Sequence, residues 1–225
     1  MRTYLILILL TFKLTHSQKT YVFDYLHEYE LTFYKDSKSI NNSVEDKVFK
    51  RFLLTNSKDN NYIALLIEID SLTFRMEFSD RKEAIFYSTN ILKSNVTKMN
   101  VFNIAIEDIT SNNNPYKYKI KEYDFINIKD TLINNRTYYR YNLTSILPKI
   151  RKRKKRMTEY FIIDKNTSYH LPILLHHTDY EEWKSKKNIP NGIYIEKYYA
   201  DFYGRLKSKE KLIKSTSIEK KISIN

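Results

Sequence analysis

The run Ile63-Ala64-Leu65-Leu66-Ile67-Glu68-Ile69-Asp70-Ser71-Leu72-Thr73-Phe74-Arg75-Met76-Glu77-Phe78-Ser79 settles the fold class. Its first half places Ile63, Leu65, Ile67 and Ile69 on one side of an extended chain. Its second half alternates Leu72, Phe74, Met76 and Phe78 with Thr73, Arg75, Glu77 and Ser79. Successive side chains of a strand point to opposite faces, so a period of two marks strands, and Asp70-Ser71 between them marks a hairpin turn. The second face of the first strand, Tyr62, Ala64 and Leu66, is also apolar, which predicts a strand covered on both sides.

The same period extends outward. Thr20–Tyr34, Val48–Asn56, Glu83–Leu92, Tyr116–Ile128, Arg136–Leu143, Thr158–Asp164 and Ile193–Arg205 all read as strands rich in β-branched and aromatic residues. In Tyr116–Ile128 the apolar step changes from two to three at Tyr123, which predicts a bulge. Turns fall at Ser57–Asn61, Ser111–Pro115 and Asn134-Asn135, because Asn tolerates the left-handed conformation and the chain has only 2 glycines to do so. One helix is expected at 178–187. Thr178 and Glu181 form a capping box, acids fill the first turn, Lys184, Lys186 and Lys187 fill the last, and Pro190 ends it. Tyr180 and Trp183, three apart, would be its packed face. The expected fold is mainly β, a curved antiparallel sheet or open half-barrel of about eight to ten strands, closed by this one short helix.

Composition excludes several functions. With no cysteine there is no disulfide scaffold, thiolate metal site or cysteine nucleophile. Two glycines cannot build a dinucleotide or phosphate-binding loop. The histidines His170, His176 and His177 with Asp179 match no metal-ligand spacing. No catalytic, cofactor-binding or metal-binding residue is therefore assigned.

Residues 1–17 have the plan of a secretory signal peptide: Arg2, an apolar run from Tyr4 to Phe12, then Thr15-His16-Ser17 before a cut at Gln18. The run is too short to span a bilayer, and no later run is longer. The expected organisation is a signal peptide at 1–17, a single β-rich domain at 18–204, and a basic terminal strand or tail at 205–225. The expected location is a periplasm or the cell exterior.

The net charge is +13. Lys outnumbers Arg 29 to 10, and residues with A/T-rich codons are abundant, so part of the excess reflects a base-composition skew. Arg is the side chain suited to bidentate base contacts, so the balance argues against a nucleic-acid reader. The charge is nonetheless concentrated. Lys149, Arg151, Lys152, Arg153, Lys154, Lys155 and Arg156 are consecutive but for Ile150. They form either a polyanion contact, a processing site, or a solvated connector between strands.

The phrases Asp164-Lys165-Asn166-Thr167, His170-Leu171-Pro172-Ile173-Leu174-Leu175, Tyr180-Glu181-Glu182-Trp183, Asn188-Ile189-Pro190-Asn191-Gly192, Phe23-Asp24-Tyr25-Leu26 and Leu54-Thr55-Asn56-Ser57-Lys58-Asp59-Asn60 together resemble an uncharacterised family of secreted proteins from flavobacterial Bacteroidota. The resemblance covers most of the chain and implies export, with no activity to carry over. In outline the order of strands and one late helix is similar to the half-barrel of outer-membrane lipoprotein carriers. The sequence thus leads to an exported, non-enzymatic binding protein for an apolar ligand, a cell-surface polymer or a partner protein. Partners would be a lipid, a glycan or an envelope protein. The alternatives are a polyanion-binding envelope protein acting through the basic loop, or a hydrolase.

Overall fold

The computed structural model describes residues 19–34, 47–111, 114, 117 and 119–225. The signal segment lies outside the described residues, as does most of the Ser111–Pro115 turn. Twelve strands form one sheet: β1 Lys19–Phe33, β2 Lys47–Thr55, β3 Tyr62–Glu68, β4 Thr73–Asp80, β5 Ile85–Leu92, β6 Val101–Ile104, β7 Thr110–Ser111, β8 Tyr123–Ile133, β9 Arg136–Ser145, β10 Thr158–Asp164, β11 Tyr194–Ala200 and β12 Leu206–Ile224. Among the described residues three short helices accompany them: α1 Lys93–Lys98, α2 Pro148–Lys154 and α3 His177–Lys186. The sheet order is β7-β5-β4-β3-β2-β1-β12-β11-β10-β9-β8, antiparallel along this path, with β6 added in parallel to β12. This is the expected curved, open half-barrel. It has more strands than expected because β6, β7 and β12 are too short or too polar to show the alternation.

The sheet buries two cores. In the first, Tyr29, Leu53, Tyr141, Phe161, Ile163 and Tyr194 meet Ile173, Leu174, Tyr180, Trp183 and Ile189 of the covering segment that contains α3. In the second, Phe23, Leu54, Ala64, Leu66, Met76 and Phe78 pack with Phe102, Ile104, Ile222 and Ile224. Ile63 belongs to the first core and Tyr62, Ala64 and Leu66 to the second, so β3 is covered on both faces as its sequence predicts. Fully burying each large apolar side chain contributes roughly 1.5–3 kcal/mol. The cover is also pinned by Arg81, whose buried guanidinium donates to the carbonyls of Leu174 and Asn60 and lies 4.8 Å from the Tyr180 ring.

Two local expectations are corrected. The step at Tyr123 is not a bulge: a 3-10 turn, Ile120–Glu122, ends there and β8 begins. The helix starts at His177, ahead of Thr178. Its N-cap is His176, whose backbone N–H donates to the Asp179 carboxylate at 3.3 Å. Asp179 is three residues beyond this cap, the same spacing that Thr178 and Glu181 offered further on. Leu206–Ile224 is the longest strand, paired on both sides within the sheet. It holds its place through two register shifts against β1, at Phe23/Tyr25 and Glu28/Tyr29, each with an extra residue on β12. Each shift flips the face of the side chains that follow, which is why Ser215 in the middle turns to meet the His27 ring.

Asn134 and Asn135 both adopt positive φ (49° and 62°) in the β8–β9 turn, the role expected of Asn in a glycine-poor chain. At Gly192, with φ +138°, a Cβ would meet Ile163 Cγ2 at 2.5 Å and the Asp164 carbonyl oxygen at 3.0 Å. Gly192→Ala is expected to cost about 2 kcal/mol or more by combined strain and overlap. Gly204→Ala, with positive φ but nothing within 4 Å, should cost less, and thermal melts of the two variants check the order.

Connections gather at two rims. One rim holds the β1 and β2 ends at Phe33 and Lys47, the β3–β4 tip at Ile69–Leu72, the end of β5, α2, and the β11–β12 turn. The other holds the polar turns at 56–61, 81–84, 134–135 and 165–169.

Candidate functional site

A row of charges crosses the inner face of the sheet toward the first rim. Strand register builds it. Tyr29 pairs with Arg51, Leu31 with Glu210, Glu210 with Lys197, and Lys197 with Phe161. Side chains of directly paired residues share a face, so Arg51, Glu210 and Lys197 all point inward. Glu159 and Tyr199, paired two residues further along, do the same. A register shift between Ile162 and Ile163 lets β11 turn both Tyr194 and Lys197 inward despite their odd spacing.

Lys197, only 1% exposed, sits 3.4 Å from Glu159 and 3.5 Å from Glu210. Arg51 pairs with Glu210, and the Tyr194 hydroxyl donates to the other Glu210 oxygen at 2.8 Å. The Tyr199 hydroxyl donates to Glu159 at 2.5 Å and meets His176 Nε2 at 2.8 Å. Burial pushes Glu159 up to about 7, with the Asp179 charge adding to it and Lys197 opposing. Burial likewise lifts Asp179 to about 6, against the pull of Lys197 and the His176 backbone N–H. Burial lowers His176. Burial would also raise Glu210, but Lys197 and Arg51 outweigh it and its carboxyl stays below the usual range.

The row ends in a cleft of about 240 Å³ lined by Tyr123, Arg156, Glu159, His176, Asp179 and Tyr199. With one hydroxyl proton on Tyr199, His176 must donate from Nε2 while Glu159 is ionised. When Glu159 takes a proton, the direction of that chain can reverse. The arrangement can hold and relay a proton, but its polar atoms are largely satisfied internally. Among the described residues no group of three His, Cys, Asp or Glu side chains could hold a metal ion.

A second, larger cleft of about 760 Å³ opens on the same rim between the start of β2 and the β3–β4 tip. Register explains it. β2 pairs with β3 only over Arg51–Leu54, while β2 begins at Lys47, so the two strands diverge. Leu31, Phe33, Val48, Phe49, Ile67 and Ile69 form its apolar wall. Phe49 is 46% exposed, Val48 57% and, at the adjoining tip, Leu72 70%. Ile69 and Leu72, which the alternation assigns to inward faces, thus stand out in solvent. The cations at its edge are matched: Lys50 pairs with Glu28 at 2.8 Å and Lys93 with Glu68 at 2.8 Å.

The basic cluster is divided by the fold. It forms α2, with Pro148 at the first turn and Lys155 as a left-handed C-cap (φ 47°). Arg156 turns inward, pairing with Glu122, donating to Ser145 Oγ at 3.2 Å and lying 4.9 Å from the Tyr123 ring. Arg151 reaches Thr158 Oγ1 at 3.3 Å. Lys155 lies 5.6 Å from the Tyr203 ring. Lys149, Lys152, Arg153 and Lys154 are exposed and make no ion pair among the described residues. The sequence places all seven cations together. It does not reveal that Arg156 and Arg151 support the β9–β10 connection.

The inward charges of Arg51, Glu159, Lys197 and Glu210 were not legible, since polar residues in strands ordinarily mark the wet face. The signal that could have found them is the pair Lys197/Tyr199 followed by buried Ala200 after a break in alternation at Ile195. Also unforeseen is a buried chain in which Thr55 Oγ1 lies 2.9 Å from both His27 Nε2 and His170 Nε2.

No family model and no curated protein matches the chain. Among solved structures it is similar to the MucA/MucB complex of Pseudomonas aeruginosa, with 6% identity over 86% of this chain and 51% of that chain, TM-score 0.41. It is similar to MucB in complex with MucA(peri), with 6% identity over 87% of this chain and 50% of that one, TM-score 0.39. It is also similar to a putative outer membrane lipoprotein-sorting protein domain from Vibrio parahaemolyticus, with 12% identity, 86% and 85% coverage, and TM-score 0.32. The chain spans about half the length of the MucB structures it matches. These likenesses are ones of outline. No helix among the described residues is long and apolar enough to cross a membrane.

Proposed function

We propose that this chain is an exported, non-enzymatic binding protein that takes an apolar ligand of acyl-chain type in the cleft between β2 and the β3–β4 tip. The observation that carries the reading is the 760 Å³ cleft, walled by exposed aromatic and aliphatic side chains whose edge charges are already paired. Its volume lies in the range of small-molecule sites, roughly 300–1,000 Å³. The deep inner face is a different matter. Tyr29, Tyr141, Tyr180 and Tyr194 are fully buried there. The tyrosines fill the half-barrel and do not line a groove, so the ligand sits at the rim. The engagement of Glu159 and Asp179 with internal partners supports a binding role over hydrolysis. Export and the flavobacterial kinship belong to this reading and rest on residues 1–17 and the phrases quoted above.

A fluorescent long-chain fatty acid titrated into the purified protein should bind saturably. Val48→Asp and Ile69→Asp should each weaken it at least tenfold, because a carboxylate in the apolar wall must be desolvated. Both positions are exposed, so thermal stability should hold. Unsaturable binding, or variants that bind as wild type does, would overturn the reading. A second reading, polyanion contact through α2, is favoured by the exposed and unpaired Lys149, Lys152, Arg153 and Lys154.

A further inference from the structure

The exposed apolar side chains and the unpaired cations lie on the same rim. More than half of the large apolar side chains exposed among the described residues project from it, on separate turns: Val48, Leu72, Leu92, Ile146, Met157 and Tyr203 represent five different connections. The opposite rim differs in kind. Its turns are closed by Asn and Asp side chains, with Asn56 accepting from Lys58 and Asp59, Asp80 from Lys82 and Glu83, and Asp164 from Asn166. The first rim runs from β5 to β9, nine strands in sheet order. At about 4.8 Å between strands it traces roughly 38 Å of contour. Such a line of partly exposed side chains extends well beyond the cleft between β2 and the β3–β4 tip, and it matches an extended apolar boundary.

Charge completes the match. Lys149, Lys152, Arg153 and Lys154 point to solvent from α2, beside Ile146 and Met157, which flank the helix. Lys155 and Arg205 both lie over the exposed Tyr203 ring, at 5.6 Å and 5.3 Å. Long basic side chains with apolar and aromatic neighbours are suited to the headgroup boundary, where stems contact acyl chains and charged ends stay in water.

We infer that this rim is a docking surface for an anionic phospholipid bilayer, with α2 and the β11–β12 turn meeting the headgroups and the β3–β4 tip entering the boundary. The inference goes beyond the acyl-ligand reading and does not require it, although the large cleft then opens toward the bilayer. A free acidic polymer would satisfy the cations and leave Leu72 and Tyr203 idle.

Vesicle flotation tests it, with phosphatidylcholine vesicles compared with a phosphatidylglycerol–phosphatidylcholine mixture. The wild-type chain should float only with the mixture, and high salt should release most of it. Lys152→Glu with Arg153→Glu and Lys154→Glu should lower partitioning on the order of a hundredfold, at about fivefold per cation. Leu72→Ser with Tyr203→Ser should lower it at least tenfold while eluting from heparin at the wild-type salt concentration. Lys58→Glu with Lys82→Glu, on the opposite rim, should change it little. All these side chains are exposed, so melting temperatures should be unchanged. Three results would each overturn the inference: a wild type that ignores the anionic vesicles, a Leu72/Tyr203 variant that binds them fully, or an opposite-rim variant that loses binding as much as the α2 variant. The second would mean polyanion contact alone, the third diffuse net charge. Fatty-acid titration of the same variants keeps the two proposals apart, since it should survive changes in α2.

Discussion

Lys197→Met is expected to lower the thermal midpoint by roughly 6–20 °C, the consequence of about 3–5 kcal/mol lost when one partner of a buried ion cluster is removed. The methionine fills a similar volume, so the loss is electrostatic. Glu159 and Glu210 then face each other across the position that the ammonium held, both almost fully buried. Arg51 still serves Glu210, so Glu159 carries most of the damage. Its carboxyl already sits near 7 with Lys197 present and rises further without it. The defect should therefore be larger at pH 8 than at pH 5, where Glu159 can take a proton. Adding Glu159→Gln should restore most of the lost stability at pH 8. An unchanged midpoint in Lys197→Met at pH 8 would show that water reaches the row and that the charges are not coupled.

Acid should unfold the protein through His27. Burial first, and the neighbouring His170 second, depress the ring to about 3. His170 is lowered too, again mainly by burial. A histidine whose folded pKa lies below its unfolded value of about 6.5 binds its proton more readily after unfolding. The unfolded state then holds more protons, so stability falls as pH drops below about 6.5 and goes on falling until about 3. At about 1.4 kcal/mol per pH unit, His27 alone accounts for about 4 to 5 kcal/mol over that window. Glu159 acts in the opposite sense: its raised carboxyl contributes stability below about 4.5 that is lost as pH rises through about 7. The two together predict greatest stability between these limits. His27→Gln keeps a polar group near Thr55 and Ser215 and removes the titration. Because the two effects nearly cancel between about 4.5 and 6.5, the His27 loss emerges below that, and urea unfolding at pH 4.5 and pH 3 should show a fall of about 2 kcal/mol for the wild type and a much smaller one for the variant. Equal falls would place the acid sensitivity elsewhere.

Much of the fold was legible because burial on one face leaves a period of two. Thr158–Asp164 was read residue for residue, and the β3–β4 hairpin nearly so. Tyr180 and Trp183 pack as their spacing predicts. What the alternation hides is long-range. β12 reads no more definitely than a Lys-rich strand or tail because two extra residues break its period, and because Lys209 and Glu210 answer to partners on β11 and not to a water-facing rule. The helix start was misplaced because two capping boxes overlap, and His176 was drawn to the earlier one by its bond to Tyr199. The basic cluster stood out as a block, but which of its cations point inward depends on Glu122 and Tyr123, which only the fold brings near. The apolar cleft could not be read at all, since it exists only where β2 and β3 part.

The position of β12 also bears on how the chain reaches its native state. β12 lies between β1 and β11, and Ile224 pairs with Lys19. The first five strands can zip up through hairpins as they emerge, and so can β8 to β11, but the two halves have no seam until the last strand arrives. A chain emerging from a ribosome or a translocation channel would therefore hold two unfinished sheets, each with an open edge meant for β12. Such edges invite pairing with other molecules, and a final seam between distant segments is slow to form. The interval before closure is when this molecule is most exposed to aggregation and most in need of a chaperone.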